Sequence, residues 1–442
     1  MISTAILTEL ASWRGALEPA GCWPARQMAR LAEASVFGWL IPRRWGGSEL
    51  DEPAILSGYL ELADACLTSA FILTQFNSAS LHRHISQSYK FDHFSGGFVE
   101  LLAAEQTFAN TSWYQGTADA VRKNLVHFLN NDFQYALILS GDQLYRMDYR
   151  KILAQHIQTY ADITVATIPV GREPAGSLGI LQIDGEKRIT RFEEKPKDPA
   201  VLDSLKIPAS MNKSLEVPAD EDQFLASMGI YVFNRDVLIK LLDNTQTDFG
   251  KHIIPGAIGS HRVFSYIFQG YWEDIGTIRA YFEANLDACA ELPRFNYFDM
   301  GSPIFTRPRF LPASKINGGA INHAVISDGC IINRARVENS LVGIRSIIAE
   351  GACLRRTIVL GSDYYESQNS ILENSARSIP RIGIGANTRI EECIVDKNAR
   401  IGDNCVITPN DKPADVDHPM YYIRDGVVII PKNAVIPHGT II

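Results

Sequence analysis

Two aspartates, Asp142 and Asp274, stand in sequence contexts that could place a carboxylate at a binding site. Asp142 follows the apolar run 136–139 and the small residues Ser140 and Gly141. A short apolar run closed by glycine indicates a buried central strand of a parallel sheet, and ligands bind at the carboxyl ends of such strands. Asp142 is therefore a candidate ligand-binding residue, and its alternative role is to cap the turn that follows.

Asp274 precedes a Gly-Thr pair in the segment 270–277, and a helix is predicted to begin at Ile278. A carboxylate at this position could bind a divalent cation, which prefers oxygen ligands, or could cap the helix. Lys195 lies in the charged segment 192–196, where a proline follows it and stiffens the chain. A lysine in such a segment is either solvated or a directed cation that meets an anionic ligand.

Composition limits the classes of function. The 442 residues predict two or three domains, and 46% hydrophobic with 21% charged residues is typical of a soluble globular protein. A net charge of -8 argues against nucleic acid or an anionic membrane as the main partner, but not against a small anionic substrate. The seven cysteines are scattered and form no C-x-x-C pair, which predicts reduced thiols in the cytoplasm. The charged residues within 1–20 exclude a signal peptide's apolar core.

The chain divides by pattern into three parts. Residues 1–75 are expected to be helical, because their apolar residues recur at helical spacing. In residues 76–295, strand-like runs such as 163–168 alternate with helical stretches such as 119–129. That alternation predicts an α/β sheet with crossover helices.

Residues 296–442 have a six-residue aliphatic period with glycine and asparagine between the aliphatic positions. The rows are Val342, Ile348, Leu354 and Leu360; Val395, Ile401 and Ile407; and Ile430, Ile436 and Ile442. This period predicts a parallel β-helix, in which each coil buries its aliphatic residues against its neighbours. A β-sandwich, the alternative, would alternate with period two. The segment 409–422 interrupts the period and is predicted to loop out.

Residues 77–442 resemble ADP-glucose pyrophosphorylase (glucose-1-phosphate adenylyltransferase). The matching motifs occupy residues 80–87, 94–100, 113–120, 192–196 and 270–277. The resemblance implies a Rossmann-like nucleotidyltransferase domain with a mixed sheet, followed by a left-handed parallel β-helix. It also implies a Mg²⁺-dependent reaction in which ATP and glucose 1-phosphate form ADP-glucose and diphosphate, for glycogen or starch synthesis.

The resemblance assigns roles to individual residues. Asp142, Lys195 and Asp274 would be catalytic, with Mg²⁺ held by the two aspartates and the phosphate of glucose 1-phosphate held by Lys195. The sugar phosphate would further contact Tyr114, Gly179, Glu194 and Ser227. Gly116 and Thr117 would lie near the nucleotide, although a turn and a helix cap also account for them. Beside Gly179, the segment 174–178 departs from the family's acidic, serine and aromatic pattern.

The β-helix and its lysines resemble the cyanobacterial and plant branch of this family. Lys397 and Lys432 match basic positions linked to binding of an activator such as 3-phosphoglycerate, and solvated turn lysines are the alternative. Members of the family are tetramers, so we expect a homo- or hetero-oligomer that assembles through the β-helix.

Residues 1–75 show no glycine-rich phosphate loop and no first sheet strand of the kind that the family has. Instead they resemble the N-terminal helical domain of acyl-CoA dehydrogenases, in segments 37–42, 45–47, 61–63 and 68–71. The fold class expected is therefore a truncated α/β nucleotidyltransferase with an N-terminal helical segment and a C-terminal β-helix. Three hypotheses follow: an active transferase, a non-catalytic regulatory subunit of the same enzyme, and a non-functional chimera of two genes. A flavin dehydrogenase is the fourth and is opposed by most of the chain.

Overall fold

The computed structural model describes residues 69–75, 78–89, 91, 97–104, 113–208, 222–302, 304 and 306–442. These residues form two compact units. The first unit contains the described residues up to Ser140, together with those of Met147–Gly270 and Phe298–Arg307. The second contains Gly141–Arg146, Tyr271–Tyr297 and Pro308–Ile442. Within the described ranges no helix is long and apolar enough to cross a bilayer.

The described residues form strands β1 to β22, numbered in chain order. They are β1 (Ser69–Thr74), β2 (Phe98–Ala103), β3 (Tyr135–Leu139), β4 (Gln143–Tyr145), β5 (Ile163–Val170), β6 (Gly179–Ile183), β7 (Ile189–Glu194), β8 (Phe224–Asn234), β9 (Val263–Ile267), β10 (Trp272–Asp274), β11 (Lys315–Ile326), β12 (Ile331–Val342), β13 (Ile347–Ile348), β14 (Cys353–Val359), β15 (Gly383–Ile384), β16 (Arg389–Val395), β17 (Arg400–Ile401), β18 (Val406–Ile407), β19 (Val416–His418), β20 (Tyr421–Arg424), β21 (Val427–Ile430) and β22 (Val435–Ile436).

The helices follow the same order. They are α1 (Ala79–Ser88), α2 (Thr117–Lys123), α3 (Leu125–Leu129), α4 (Tyr149–Gln158), α5 (Arg172–Ala175), α6 (Pro199–Ser204), α7 (Arg235–Leu242), α8 (Ile254–Ala257), α9 (Ile278–Asp287) and α10 (Gln368–Ala376), with a π-helical turn at Phe249–Ile253. The helix predicted over 119–129 is thus two helices, with a break at Asn124.

A mixed six-stranded sheet forms the centre of the first unit. Its order is β7–β6–β8–β5–β9, and β3 also pairs with β8. Strand β8 is antiparallel to β3, β5 and β6, whereas β5 and β9 are parallel. Fully buried side chains such as Ile163, Phe233 and Phe249 pack into its core. The mixed α/β fold class predicted from the sequence is confirmed.

The apolar run 136–139 forms strand β3, but the prediction of a buried central strand in a parallel sheet is wrong. Within the described part of the chain β3 pairs only with β8, antiparallel, from Tyr135 opposite Asn234 to Leu139 opposite Ile230. Its side chains are half-buried or exposed. Continuous apolar runs are typical of parallel strands, but the pairing of β3 with β8 is set by long-range packing, which the local run does not encode.

The helical prediction for residues 1–75 is wrong at its C-terminal end. Residues 69–74 form strand β1, which pairs in parallel with β2. The ring of Phe71 packs against Phe98 and Phe128, at centroid distances of 5.1 and 4.9 Å. Strand pairing and aromatic packing therefore outweigh the local helical pattern here. The helices predicted before residue 69 lie outside the described residues.

Stacked parallel strands form most of the second unit, as the six-residue period predicts. Leu354 of β14 lies between Val337 of β12 and Ile390 of β16, and Ile390 in turn pairs with Ile407. All four side chains are fully buried. Each contributes about 1.5–3 kcal/mol by its burial, and only neighbouring coils can bury it.

Two segments interrupt this stack. Residues 409–422, predicted to loop out, do leave the stack, and their last part pairs as the antiparallel hairpin β19–β20. A second insertion carries helix α10 and was not predicted, because it falls between two intact aliphatic rows. Leu360 departs from its row as well: it packs with helix α9 rather than in the interior of the stack.

Candidate active site

The second unit brings the two predicted metal-binding aspartates together. Strand β4 pairs antiparallel with β10, and Asp274 is opposite Gln143. The backbone N–H of Ile275 donates to the carbonyl oxygen of Asp142 at 3.0 Å. A Cβ atom placed on Gly276 would lie 3.0 Å from Oδ1 of Asp274 and 3.2 Å from Oδ2 of Asp142. The two carboxylates therefore flank one glycine.

The alternative roles of the two aspartates as caps find no support. Helix α9 is capped by Thr277, whose hydroxyl accepts a hydrogen bond from the N–H of Ala280 at 3.1 Å. Asp274 instead accepts from the N–H of Gly276 at 2.9 Å. The Asp142 side chain is exposed and has no hydrogen-bond or ion-pair partner within the described ranges.

This pair of oxygen ligands fits Mg²⁺. Neighbouring carboxylates without a cation repel each other, and a divalent ion between them removes that repulsion. Magnesium is commonly held by one or two carboxylates, with water and substrate phosphates completing its octahedron. Among the described residues no cluster of three potential metal-binding side chains occurs. The metal-binding roles of Asp142 and Asp274 stay predictions.

In the first unit, Glu194 lies between two glycines. Gly179 of β6 pairs directly with Glu194 of β7. A Cβ atom on Gly179 would lie 2.8 Å from Oε2 of Glu194, and one on Gly250 would lie 3.0 Å from the same oxygen. The Gly179 Cβ would also come within 2.7 Å of the ring of Phe192. A side chain at Gly179 would therefore meet the buried ring of Phe192, whereas one at Gly250 would displace the flexible carboxylate of Glu194.

The surroundings of Glu194 change the pKa of its carboxyl group. Burial raises the pKa of its carboxyl group, and the carboxylate of Asp248 raises this pKa further. The positive charges of Lys195 and Lys251 act in the opposite direction. A half-buried carboxylate with close backbone groups is suited to accept hydrogen bonds from neutral hydroxyl groups, which are abundant on a sugar.

Tyr231 lies near the same two carboxylates and forms a hydrogen bond with Ser227. Burial, with smaller contributions from Asp248 and Glu194, raises the pKa of Tyr231 to about 12, and a hydrogen bond with Ser227 opposes that shift. The Ser227 hydroxyl also accepts from the N–H of Gly229 at 3.3 Å. Tyr231 thus connects the predicted Ser227 indirectly to the surroundings of Glu194.

Lys195 has an exposed side chain on a constrained backbone. Its φ is +50°, in the left-handed region that side chains other than glycine rarely adopt. The backbone N–H of Lys195 donates to the carbonyl oxygen of Leu178 at 3.1 Å. The backbone of Lys195 is therefore fixed, while its ammonium group is open to an anionic ligand.

Thr117 and Gly116 also reach this cluster. The Thr117 hydroxyl donates to Oδ2 of Asp248 at 3.3 Å and accepts from the N–H of Phe249 at 3.2 Å. Gly116 has extended backbone, and a Cβ atom there would lie only 2.4 Å from the carbonyl oxygen of Thr247. Helix α2 begins at Thr117, so the structural role foreseen for both residues is compatible with a binding role.

Tyr114 is less directly connected to the residues around Glu194. Its hydroxyl accepts a hydrogen bond from Nδ2 of Asn124 at 2.8 Å, and the ammonium of Lys123 lies 5.8 Å from its ring centroid. These contacts hold the ring on helices α2 and α3. The structure shows no contact between Tyr114 and Glu194.

Sequence reasoning missed Asp248, Tyr231, Gly250 and Lys251. A usable signal was present for Asp248, because an Asp followed by a helical stretch is a cap pattern, and its Oδ1 accepts from the N–H of Lys251 at 2.9 Å. Its nearness to Glu194 follows from long-range packing, for which the local sequence has no signal.

The two predicted effector lysines meet at one carboxylate in the second unit. Nζ of Lys397 lies 3.7 Å from Oδ1 of Asp363, and Nζ of Lys432 lies 3.3 Å from Oδ2. Asn398 donates to Asp363 as well, at 3.1 Å. These donors and charges hold the pKa of Asp363 below its usual value, against the effect of burial. The positive charge at this place is therefore partly neutralised.

The chain that contains the mixed sheet and the two aspartates at Gly276 matches a known protein family. A family model described as nucleotidyl transferase matches residues 50–291, more than half of the chain. The chain therefore belongs to the nucleotidyl transferase family.

A second family model, which matches the C-terminal part of the chain, defines the class of nucleotidyl transferase more closely. It is described as the GLGC left-handed parallel beta-helix domain and matches residues 309–441. The predicted left-handed parallel β-helix is thus confirmed, and the pair of domains is consistent with the ADP-glucose pyrophosphorylase family. The first match begins at residue 50, inside the segment that resembles acyl-CoA dehydrogenases, and that resemblance stays a prediction.

Proposed function

We propose that the protein is a glucose-1-phosphate adenylyltransferase, which forms ADP-glucose and diphosphate from ATP and glucose 1-phosphate. The observation that carries the proposal is the placement of Asp142 and Asp274 on either side of Gly276, in a chain of the nucleotidyl transferase family. The glycine-flanked Glu194 supports a sugar as one substrate.

In the proposed reaction a phosphate oxygen of glucose 1-phosphate attacks the α-phosphorus of ATP. The bond between the α-phosphorus and the oxygen that bridges to the β-phosphorus breaks, and diphosphate leaves. This nucleophile is already anionic, so no general base is required, and positioning with charge neutralisation provides the catalysis. Mg²⁺, when bound by Asp142 and Asp274, supplies positive charge to the triphosphate. Lys195 binds the phosphate of the sugar, while Glu194 and Ser227 hydrogen-bond sugar hydroxyls, with Tyr114 and Gly179 completing that pocket. Gly116 and Thr117 contact the nucleotide.

The proposal extends to regulation and assembly. Lys397 and Lys432 would bind an anionic effector of the 3-phosphoglycerate type, with Asp363 released from both lysines. The β-helix would join copies of this chain, or this chain and a related one, into a tetramer in the cytoplasm. These roles rest on the resemblance and on the shared position of the two lysines.

The test is synthesis of ADP-glucose by the purified full chain with Mg²⁺, ATP and glucose 1-phosphate, and of ATP in the reverse direction. We expect product with the wild type and a loss of at least about 100-fold with Asp142→Asn, which removes a charged ligand. Asp411→Asn is the matched control, because Asp411 is also exposed and has no ion-pair partner in the described parts of the chain. A folded wild type that forms no product in either direction refutes the proposal.

The same preparation distinguishes the alternative of a non-catalytic regulatory subunit. That alternative predicts binding of glucose 1-phosphate without turnover, together with co-purification of a catalytically complete paralogue. A chain that cannot be obtained folded would instead support the chimera of two genes.

A further inference from the structure

Helix α9 is the element that connects Asp274 to the stacked strands of the second unit. The helix begins at Ile278, four residues after Asp274, and its cap at Thr277 follows Gly276 directly. Any rotation or shift of α9 must therefore move the turn that holds the Asp274 carboxylate. What fixes α9 also fixes the position of that carboxylate relative to Asp142.

The apolar face of α9 packs on several coils of the stack. Phe282 is completely buried and clusters with Ile358 of β14, Ile394 of β16 and Val427 of β21. Burial of a phenylalanine ring contributes about 1.5–3 kcal/mol. Leu286, Ile278 and Tyr281 of the same helix join this cluster, so an apolar face of α9 is seated on the β-helix around Phe282.

Charged side chains around Phe282 add directional contacts that orient helix α9 on the β-helix. Nη2 of Arg356 donates to both carboxylate oxygens of Glu283, at 2.8 and 3.1 Å, and Nε of Arg356 donates to Glu392. Arg279 of the same helix pairs with Glu283 at 3.1 Å and with Glu392 at 3.5 Å. The two guanidinium groups lie 5.7 and 5.8 Å from the ring centroid of Phe282. The planar guanidinium gives these contacts a fixed direction, which an ammonium group would not.

The backbone at this network is left-handed. Arg356 has φ +44° and Glu392, at the equivalent position of the next coil, has φ +48°. His323 and Asn339, at this position in the two preceding coils, have the same conformation, so it belongs to the repeated turn of the coils. In the coils that carry Arg356 and Glu392, both side chains reach the charged groups of α9.

We propose that Arg356 is a positioning residue, which acts through Glu283 and Phe282 to fix helix α9 and so hold the Asp274 carboxylate beside Asp142. The inference rests on the proposed function in one respect only, namely that these two aspartates bind a divalent cation. The proposed action of Arg356 is on helix α9 and not on a substrate. The β-helix thereby contributes to the metal site in addition to any role in assembly.

The test measures binding of Mn²⁺ alone to the full chain, by the electron paramagnetic resonance signal of the free ion. We expect Arg356→Ala to weaken Mn²⁺ binding about tenfold, with Arg356→Lys intermediate because the single nitrogen of lysine cannot reproduce separate donors to Glu283 and Glu392. Arg334→Ala is the matched control: Arg334 also has a left-handed backbone (φ +42°), and its ion pair is with Glu350, away from α9. Circular dichroism and the unfolding midpoint verify that each variant is folded.

Equal Mn²⁺ affinity for Arg356→Ala and Arg334→Ala overturns the inference, as does a wild type whose Mn²⁺ binding is unchanged by Asp274→Asn. If Arg356→Ala does not fold, Glu283→Gln takes its place, and wild-type affinity in that folded variant overturns the inference equally. Mn²⁺ binding does not require turnover. A protein that binds Mn²⁺ in the expected pattern but forms no ADP-glucose would refute the proposed function and leave the role of Arg356 intact.

Discussion

Replacing Glu194 by glutamine should have opposite effects on substrate binding and on stability. The half-buried carboxylate is proposed to accept hydrogen bonds from sugar hydroxyls. A hydrogen bond to a charged group contributes about 1.5–3 kcal/mol and one to a neutral group about 0.5–1.5 kcal/mol. The difference of about 1–1.5 kcal/mol for each bond corresponds to a roughly 5- to 12-fold loss in kcat/KM for glucose 1-phosphate.

The stability effect follows from the raised pKa of Glu194, which burial causes first and Asp248 increases. A raised pKa in the folded state means that ionisation destabilises the fold, so stability falls as pH rises from the unfolded pKa through the folded one. Glu194→Gln removes this cost, and its unfolding midpoint at pH 7 should exceed that of the wild type. The gain should disappear below the pKa that glutamate has in the unfolded chain.

The assay combines steady-state kinetics at varied glucose 1-phosphate with thermal unfolding at pH 7 and at pH 4. Glu193→Gln is the matched control, because this neighbour points to the other face of strand β7 and pairs with Arg191 at 2.9 Å. The control should leave kcat/KM unchanged. A Glu194→Gln variant that is less stable at pH 7, or that keeps wild-type kcat/KM, would refute the reasoning.

Three further perturbations can be predicted together. Lys195→Ala should raise KM for glucose 1-phosphate roughly 10- to 150-fold, because it removes charge-assisted hydrogen bonds. Lys187 has a similar left-handed backbone and an exposed side chain, so Lys187→Ala is the control and should leave this KM unchanged. Gly116→Ala should lower the free energy of unfolding by about 1–3 kcal/mol, because its Cβ would meet the carbonyl oxygen of Thr247 at 2.4 Å; an unchanged denaturant midpoint would contradict this. Asp363→Asn should strengthen activation by 3-phosphoglycerate, since it frees the two paired lysines, and weaker or equal activation would count against an effector site there.

The β-helix could be predicted from the sequence because its coils impose their period on the chain. Leu354 and Ile390 are buried at positions that the structure repeats in every coil, so the aliphatic spacing reports the fold directly. Strand β3 shows the limit of such patterns. Its apolar residues indicated a strand correctly, but the antiparallel partner β8 lies some 90 residues away and leaves no mark on the local sequence.

In the candidate sites too, local motifs could be predicted from the sequence and long-range packing could not. Asp142 and Asp274 could be singled out because each occupies a motif, and the β4–β10 pairing then brings them together. Asp248 could not be foreseen beside Glu194, since their approach depends on how the π-helical turn packs against the sheet. The left-handed backbone of Lys195 was equally unpredictable, because the proline that follows it favours extended conformations.

The most direct test of the central claim is an anomalous difference map from crystals of the full chain grown with Mn²⁺ and a non-hydrolysable ATP analogue. We expect a Mn²⁺ peak within about 2.0–2.3 Å of a carboxylate oxygen from both Asp142 and Asp274. A peak bound to other side chains, with these two carboxylates unliganded, would contradict it.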